Sequence, residues 1–305
     1  MIDKILKEDF IARRRPSDAT SLYDFTEQSA EAEFYDLLFS DESKIAERTL
    51  LDKNKSSEAK RRIEGLNNIN AVVSFLKNIL DPDALLVEIG GGVHQERSGY
   101  IYKEFLNYYP LDISQSSIKK YVEKFQRSGV VADATNLPFE DNSLDAIFTH
   151  TFLEHTHNPE QILSEISRVL KPGGIIVHVD AWFCRWWQRF GVVGLKTFSE
   201  MNFKERLVFI GSRITEFKPL RFPPILIKRT IQLLLHKSGD FKFRFKKLKP
   251  NYDLFLGCDE DAASSIDPVN VMQYYESRNF KNYNDLSFKE KVFFRSPFLI
   301  MKKQS

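Results

Sequence analysis

Two carboxylates, one ending a short apolar run just before three glycines and one ending a second such run, form a pattern that can hold a nucleoside. Residues 84–92 read ALLVEIGGG and residues 108–114 read YYPLDIS. Glu88 closes the first run, Gly90, Gly91 and Gly92 make the turn, and Asp112 closes the second run. In an open parallel α/β sheet, ligands bind outside the carboxyl ends of the strands. Glycine lets backbone approach a ligand with no Cβ in the way. A carboxylate at the position of Asp112 can accept hydrogen bonds from both ribose hydroxyls. Beyond a third run, VVADAT, comes Asp133, and His150, His155 and His157 cluster after a fourth. Histidine exchanges a proton near neutrality, so His155 and His150 are the candidate general bases. The same histidines fix no ligand set, and no metal site is expected. Asp259-Glu260-Asp261, followed by Ser264-Ser265, is either a donor of carboxylates to sugar hydroxyls or a solvated loop ending in a helix cap.

These residues need elements to hold them. Leu85–Ile89, Tyr108–Ile113, Val130–Asp133, Leu144–Thr149 and Ile175–Val179 read as five short strands. Ile118–Phe125 and Pro159–Leu170 read as intervening helices; proline in a first helical turn loses no hydrogen bond. Gly173-Gly174 is read as the stop of the second helix. Such alternation predicts an α/β fold with a parallel sheet. Ser57–Leu80 carries apolar residues at helical spacing, and Glu31–Phe39 gives a shorter amphipathic stretch. After the fifth strand the alternation stops. Residues 269–278 then read as a helix, with Phe280–Phe288 and Val292–Met301 as two closing strands. The expected organisation is a helical flank or lid at 1–80, a core at 81–180, a basic aromatic insertion at 181–250, and a return to the core sheet at 251–305.

Composition narrows the class. The chain has 305 residues, 42% apolar, enough for a buried core. Its first residues, MIDKILKEDFIARRR, lack the apolar stretch of a signal peptide, and no run has membrane-spanning length. Cys184 and Cys258 are read as free thiols, so a cytoplasmic setting is expected. Net charge is only +2, yet 181–250 holds sixteen Lys and Arg, four Asp and Glu, all three Trp and ten Phe. That concentration points to a partner for the segment. An anionic membrane surface at the inner face, a plain acceptor lid and nucleic acid are the three readings; the high apolar content of 222–235 weighs against nucleic acid.

Four motifs in order then carry a resemblance. They are Asp133 to Phe139 with Asp141, Ser143 and Asp145; Leu153-Glu154-His155; Arg168 to Gly174; and the ALLVEIGGG turn. The chain resembles class I S-adenosylmethionine-dependent methyltransferases, of the methyltransferase type 11 kind, strongly over 84–180. The resemblance implies a Rossmann-like, mostly parallel seven-stranded sheet with helices on both faces and an antiparallel edge hairpin. It implies that Glu88, Gly90 and Gly92 meet the methionine end of S-adenosylmethionine. It also implies that Asp112, with Ile113 beside it, meets the ribose, that Asp133 and the Ala134 amide meet the adenine, and that the backbone at Thr149 and His150 lies under the methionine moiety. Val93-His94 depart from the glycine many relatives carry there, and Ser98-Gly99 weaken the helix that should follow. The function expected is methyl transfer to a small-molecule or glycan acceptor at oxygen. Transfer to a lipid-soluble or RNA acceptor, or a binding module without turnover, are the alternatives.

Overall fold

A computed structural model describes residues 2–14, 21–26, 29–40, 69–92, 101–191, 197–235, 241–252 and 259–305. Ser57 to Asn68, Val93-His94, Ser98-Gly99 and Cys258 lie outside them.

In chain order the helices are α1 (Glu8–Arg13), α2 (Ala30–Ser40), α3 (69–79), α4 (Gln115–Phe125), α5 (Pro159–Val169), α6 (Phe203–Glu216), α7 (Lys218–Leu235), α8 (Pro268–Glu276) and α9 (Phe288–Val292). The strands are β1 (Leu22–Asp24), β2 (Leu85–Ile89), β3 (Asn107–Asp112), β4 (Gly129–Val131), β5 (Leu144–His150), β6 (Leu170–Val179), β7 (Lys246–Lys247), β8 (Ser264–Ser265), β9 (Phe280–Asn282) and β10 (Leu299–Lys303). Eight of them form one sheet in the order β1-β4-β3-β2-β5-β6-β10-β9, parallel from β1 to β6 and closed by antiparallel β10 and β9.

Alternation along each strand builds a core on each face, because successive side chains point to opposite sides. Leu86, Ala146, Phe148 and Val177 meet α3 and α4 through Val72, Leu76, Ile118 and Tyr121. Val87, Ile89, Ile147 and Ile176 meet α5 and α8 through Ile162, Ile166, Met272 and Tyr275. Each such side chain contributes roughly 1.5–3 kcal/mol on burial. The helices start where the local sequence supplies acceptors. Ser114 takes the Ser117 N–H at 3.1 Å, and Asn158 caps α5 ahead of Pro159.

Three expectations change. Residues 1–80 are not helical throughout: Leu22–Asp24 pairs with Gly129–Val131 as β1, an eighth strand where seven were expected. The last expected strand pair is shorter, with α9 between β9 and β10, because Ser287 and Glu290 form a capping box that starts a helix inside the stretch read as strand. And α5 ends at Val169, before Gly173-Gly174. β6 begins at Leu170 and passes through both glycines; Gly173 has φ +82°, and the pairing with β5 shifts register at Leu144/Ala146. The glycines accommodate a bulge in a strand; they do not cap a helix.

Candidate functional site

The chain runs from β2 outward to β3, then returns to β5 on the other side of β2. That reversal opens a crevice at the carboxyl ends of β2 and β5, where ligands of such sheets bind. Gly90 sits at its floor with φ +77°. Its N–H donates to Leu111 O at 2.7 Å, and a Cβ there would come within 2.8 Å of the Phe152 ring. A Cβ on Gly92 would meet Ser117 Oγ at 2.7 Å and the Asp112 Cβ at 3.0 Å. The turn therefore packs so closely on Phe152, Ser117 and Asp112 that neither position has room for a side chain.

Asp112, at the end of β3, is buried. Its Oδ1 accepts from Ser114 N at 2.9 Å and its Oδ2 from Gly92 N at 3.3 Å. Burial outweighs these bonds and pushes the carboxyl up to about 6. Ile113 is half-buried beside it. Glu88 is buried under the turn, where it accepts a hydrogen bond from Tyr108 of the neighbouring strand, and a Cβ on Gly91 would strike its side chain. Asp133 is exposed, one carboxylate oxygen taking the Thr135 N–H at 2.8 Å in a local turn, while Ala134 is buried. Thr149 is paired between Ile89 and His178. Its hydroxyl donates to Asp180 Oδ2 at 2.9 Å. His150 ends β5 with Nδ1 3.1 Å from Thr151 Oγ1.

The motif 133–145 is braced from behind. Arg168 donates to the Leu137 and Phe139 carbonyls, to Glu165 and to Asp141, and Lys171 pairs with Asp145 at 2.7 Å. These residues hold the loop that carries Asp133 and Ala134.

His155 does not suit the role of base. Its Nδ1 lies 3.2 Å from Asp261 Oδ2. Burial opposes a charged ring, but Asp261, then Glu154 and Asp259, push its pKa up to about 10. Asp261, despite its own burial, is held well below the usual carboxylate range by His155 and by the Tyr35 hydroxyl at 2.9 Å. A ring protonated at neutral pH has no lone pair to accept a further proton. The segment after Asp259 is therefore neither a freely solvated loop nor a row of open carboxylates. Ser264 Oγ bonds Thr156 O, and Ser264-Ser265 pairs with Lys246-Lys247.

Four residues escaped the sequence reading. Asp180 directly follows β6, and its Oδ1 takes the N–H of Phe152 at 3.0 Å and of Leu153 at 3.3 Å. Burial would raise it, but the His178 hydrogen bond and charge outweigh that, so it is lowered. An acid closing an apolar strand is the very signal that marked Glu88 and Asp112, and HVD at 178–180 carries it. Glu154 is buried with Oε1 taking the Ala181 N–H at 3.1 Å and no partner on Oε2; burial pushes it up to about 8. Glu31 and Tyr35 come from α2, which lies over the crevice. Asp36 of α2 takes the Ser116 N–H at 2.7 Å, and Phe34 meets Tyr252 with ring centroids 4.5 Å apart. Glu31 is half-buried; burial first, then the charge of Asp133, raise it to about 7, with His155, Asp261 and Asp112 also in electrostatic reach. Nothing in the AEAEFYDL sequence distinguishes it from a solvated helical acid.

Among the described residues no group of His, Cys, Asp and Glu could hold a metal ion. Cys184 is a buried free thiol.

Sheet order, switch-point crevice and glycine turn together define a Rossmann-like α/β domain. Residues 87–178 match the family described as methyltransferase domain. The biotin biosynthesis bifunctional protein BioHC of Teredinibacter turnerae is 26% identical over 172 residues, 50% of this chain and 27% of its own. The uncharacterized protein MJ1123 of Methanocaldococcus jannaschii is 26% identical over 194 residues, covering 64% of this chain and 78% of that one. The ubiquinone/menaquinone biosynthesis C-methyltransferase UbiE of Desulfotalea psychrophila is 35% identical over 72 residues, 23% of this chain and 29% of its own. The chain thus spans under a third of the length of two of these relatives. Over residues 87–178 the chain is similar to this methyltransferase domain family.

Proposed function

We propose that this chain moves a methyl group from S-adenosylmethionine to the oxygen of a hydroxyl-bearing small molecule or glycan. The observation that carries the reading is one crevice bounded on one side by the glycine turn and Asp112 and on the other by the polar underside of α2. The residues present fit the cofactor. Asp112 is a buried carboxylate whose raised pKa is relieved by hydroxyl donors, and Gly90 and Gly92 form a tight turn against Phe152, Ser117 and Asp112 that admits no side chain. On this reading Asp112 and Ile113 hold the ribose side, Asp133 and the Ala134 amide the base, and Gly90, Gly92 and the Thr149–His150 backbone the amino-acid end, above Glu88.

When bound, the cofactor supplies a methyl group already activated by a positive sulfur. The chain's own task is to align the acceptor and take its proton. Glu31 is the proposed base. Its carboxyl titrates at about 7, near the pH where a general base works best, and it faces the crevice from the lid. His150 is the alternative, at the end of β5. His155 and Asp261 form a fixed ion pair that positions the underside of the lid through Tyr35. Tyr252, whose hydroxyl lies 3.1 Å from His157 Nε2, adds a further polar group suited to a polyhydroxyl acceptor.

Transfer of labelled methyl to a panel of glycans and polyols tests the reading. Glu31→Gln should lower kcat by roughly 10²–10⁴ with cofactor affinity nearly unchanged. It should also remove the acidic limb of the rate profile near pH 7. An unchanged profile in Glu31→Gln that collapses in His150→Gln moves the base to β5. A second reading, transfer to a lipid-soluble acceptor, has one observation in its favour: the exposed apolar residues of α6 and α7 after β6. The quinone methyltransferase similarity points the same way.

A further inference from the structure

Two helices that follow the crevice bury little of themselves. On α6, Phe203, Leu207, Ile210, Ile214 and Phe217 at its end are all exposed, Phe203 at 78%. Their spacing of four, three, four and three is one stripe along a helix. Val208 and Ser212, on the opposite side of the helix by the same periodicity, are its buried residues. On α7, Leu220, Ile227, Ile231 and Leu234 repeat the pattern, Leu234 exposed at 69%. Here the opposite side is fixed by Arg229, which is buried against Asp267 at 2.8 Å and donates to the Val292 and Phe294 carbonyls. The pair is therefore anchored through α7, by Arg229 and by Leu233 packed against the core, and turns its apolar stripe outward.

Cations border the stripes. Lys204 flanks the α6 stripe on one side, Arg206 and Arg213 on the other, and Lys228 flanks that of α7; all four are exposed. Residues 203–235 hold seven Lys and Arg against Glu205 and Glu216. Both acids are engaged, Glu205 in the α6 capping box and Glu216 with Arg185 and Arg221. Two open apolar grooves lie on these helices. One, of about 330 Å³, includes Ile210, Ile214 and Leu220; the other, of about 380 Å³, lies between α7 and α9 and includes Ile227, Ile231 and Phe288. Among the described residues no helix is long and apolar enough to cross a membrane.

We propose that α6 and α7 form an interfacial docking face for a bilayer containing anionic phospholipid. An apolar helix stripe with Lys and Arg along its borders lies in the interface plane, with its apolar residues below the headgroups and its cations among the phosphates. The cationic border selects anionic lipid over neutral lipid, because each Lys or Arg near such a surface gains about 1 kcal/mol, a factor of about five. Arg185, just after β6, holds Glu216 at the end of α6, and Gln188 holds Asp259 beside the crevice. Docking therefore brings the crevice close to the headgroup layer.

The test is sedimentation of the full chain with vesicles, independent of methyl transfer and of the acceptor. At low salt the chain should sediment with phosphatidylcholine–phosphatidylglycerol vesicles and not with phosphatidylcholine alone. High salt should release it as the screening length falls to about 3 Å. Replacing Lys204, Arg213 and Lys228 together by Gln should weaken partition about a hundredfold. Ile214→Asp with Leu234→Asp should abolish it, while thermal midpoint and cofactor affinity stay unchanged because these side chains are exposed. No sedimentation at low salt, or equal sedimentation with neutral vesicles, overturns the proposal. So does light scattering that finds a wild-type dimer split by Ile214→Asp, which would give the face to a second copy.

Discussion

Asp112→Asn should make the protein more stable and a poorer binder of its cofactor. The Asp112 carboxyl titrates at about 6 in the fold against 3.8 ordinarily. The folded state therefore binds more protons than the unfolded one between these values, and stability falls as pH rises through them. The full difference corresponds to about 3 kcal/mol, present as a penalty above about pH 6 and absent below about pH 4. Asparagine removes that penalty. Its Oδ1 keeps the Ser114 N–H, but its Nδ2 faces the Gly92 N–H, and the lost bond costs about 1 kcal/mol. The net expectation is a gain of about 2 kcal/mol at pH 7.5 that has reversed to a loss of about 1 kcal/mol by pH 4. Urea unfolding of both proteins at a series of pH values measures it. Calorimetry should show the opposite for the ligand, affinity weakened by about 1.5–3 kcal/mol, because hydrogen bonds to a charged acceptor are lost. An Asn variant that is less stable at pH 7.5, or that binds S-adenosylmethionine as tightly as wild type, refutes the reasoning.

The ion pair of His155 with Asp261 should leave its mark at high pH. His155 is raised to about 10, so its contribution is complete below pH 6.5 and is lost as pH climbs through about 10; Asp261→Asn should flatten that decline in unfolding titrations. Gly90→Ala combines a φ of +77° with a 2.8 Å approach to Phe152, and should cost roughly 1–3 kcal/mol in thermal unfolding. Arg229→Ala leaves Asp267 buried and unpaired at the start of α8, which should cost about 3–5 kcal/mol and make α7 a preferred site of limited proteolysis.

β2 and β3 could be read from sequence because each is an apolar run closed by an acid or a glycine, and β5 because it is an apolar run after the long 133–145 motif. ALLVEIGGG encodes strand, turn and ligand clearance within nine residues. The long motif over 133–145 was equally plain, although Arg168 and Lys171 turn out to brace it rather than touch a ligand. β1 was hidden for a physical reason. SLYDF is too short to show alternation, and its three residues are a strand only because the edge of β4 is there to pair with. His155 misled because its chemistry depends on Asp261, far along the chain, and no local pattern reports that contact. Glu31 was invisible on similar grounds: its titration is set by burial and by charges from four separate stretches of the chain, those of Asp133, His155, Asp261 and Asp112.

The strand that extends the sheet also sets an order of events in synthesis. Leu22 pairs with Gly129, and Ile5 takes the Glu140 N–H. Ile5 and Leu22–Asp24 thus have no partners until β4 and the loop after it have been made. α2 with Glu31 follows β1 and packs on α4, so it too waits for later chain, whereas β2 and β3 can pair with each other meanwhile. A partner that captured β1 and α2 in that interval would leave a domain with its sheet otherwise complete and its crevice uncovered. A long-range pairing of this kind is slow to form, so assembly of the core and acquisition of the lid become separable steps, with the site completed by a segment made before the core.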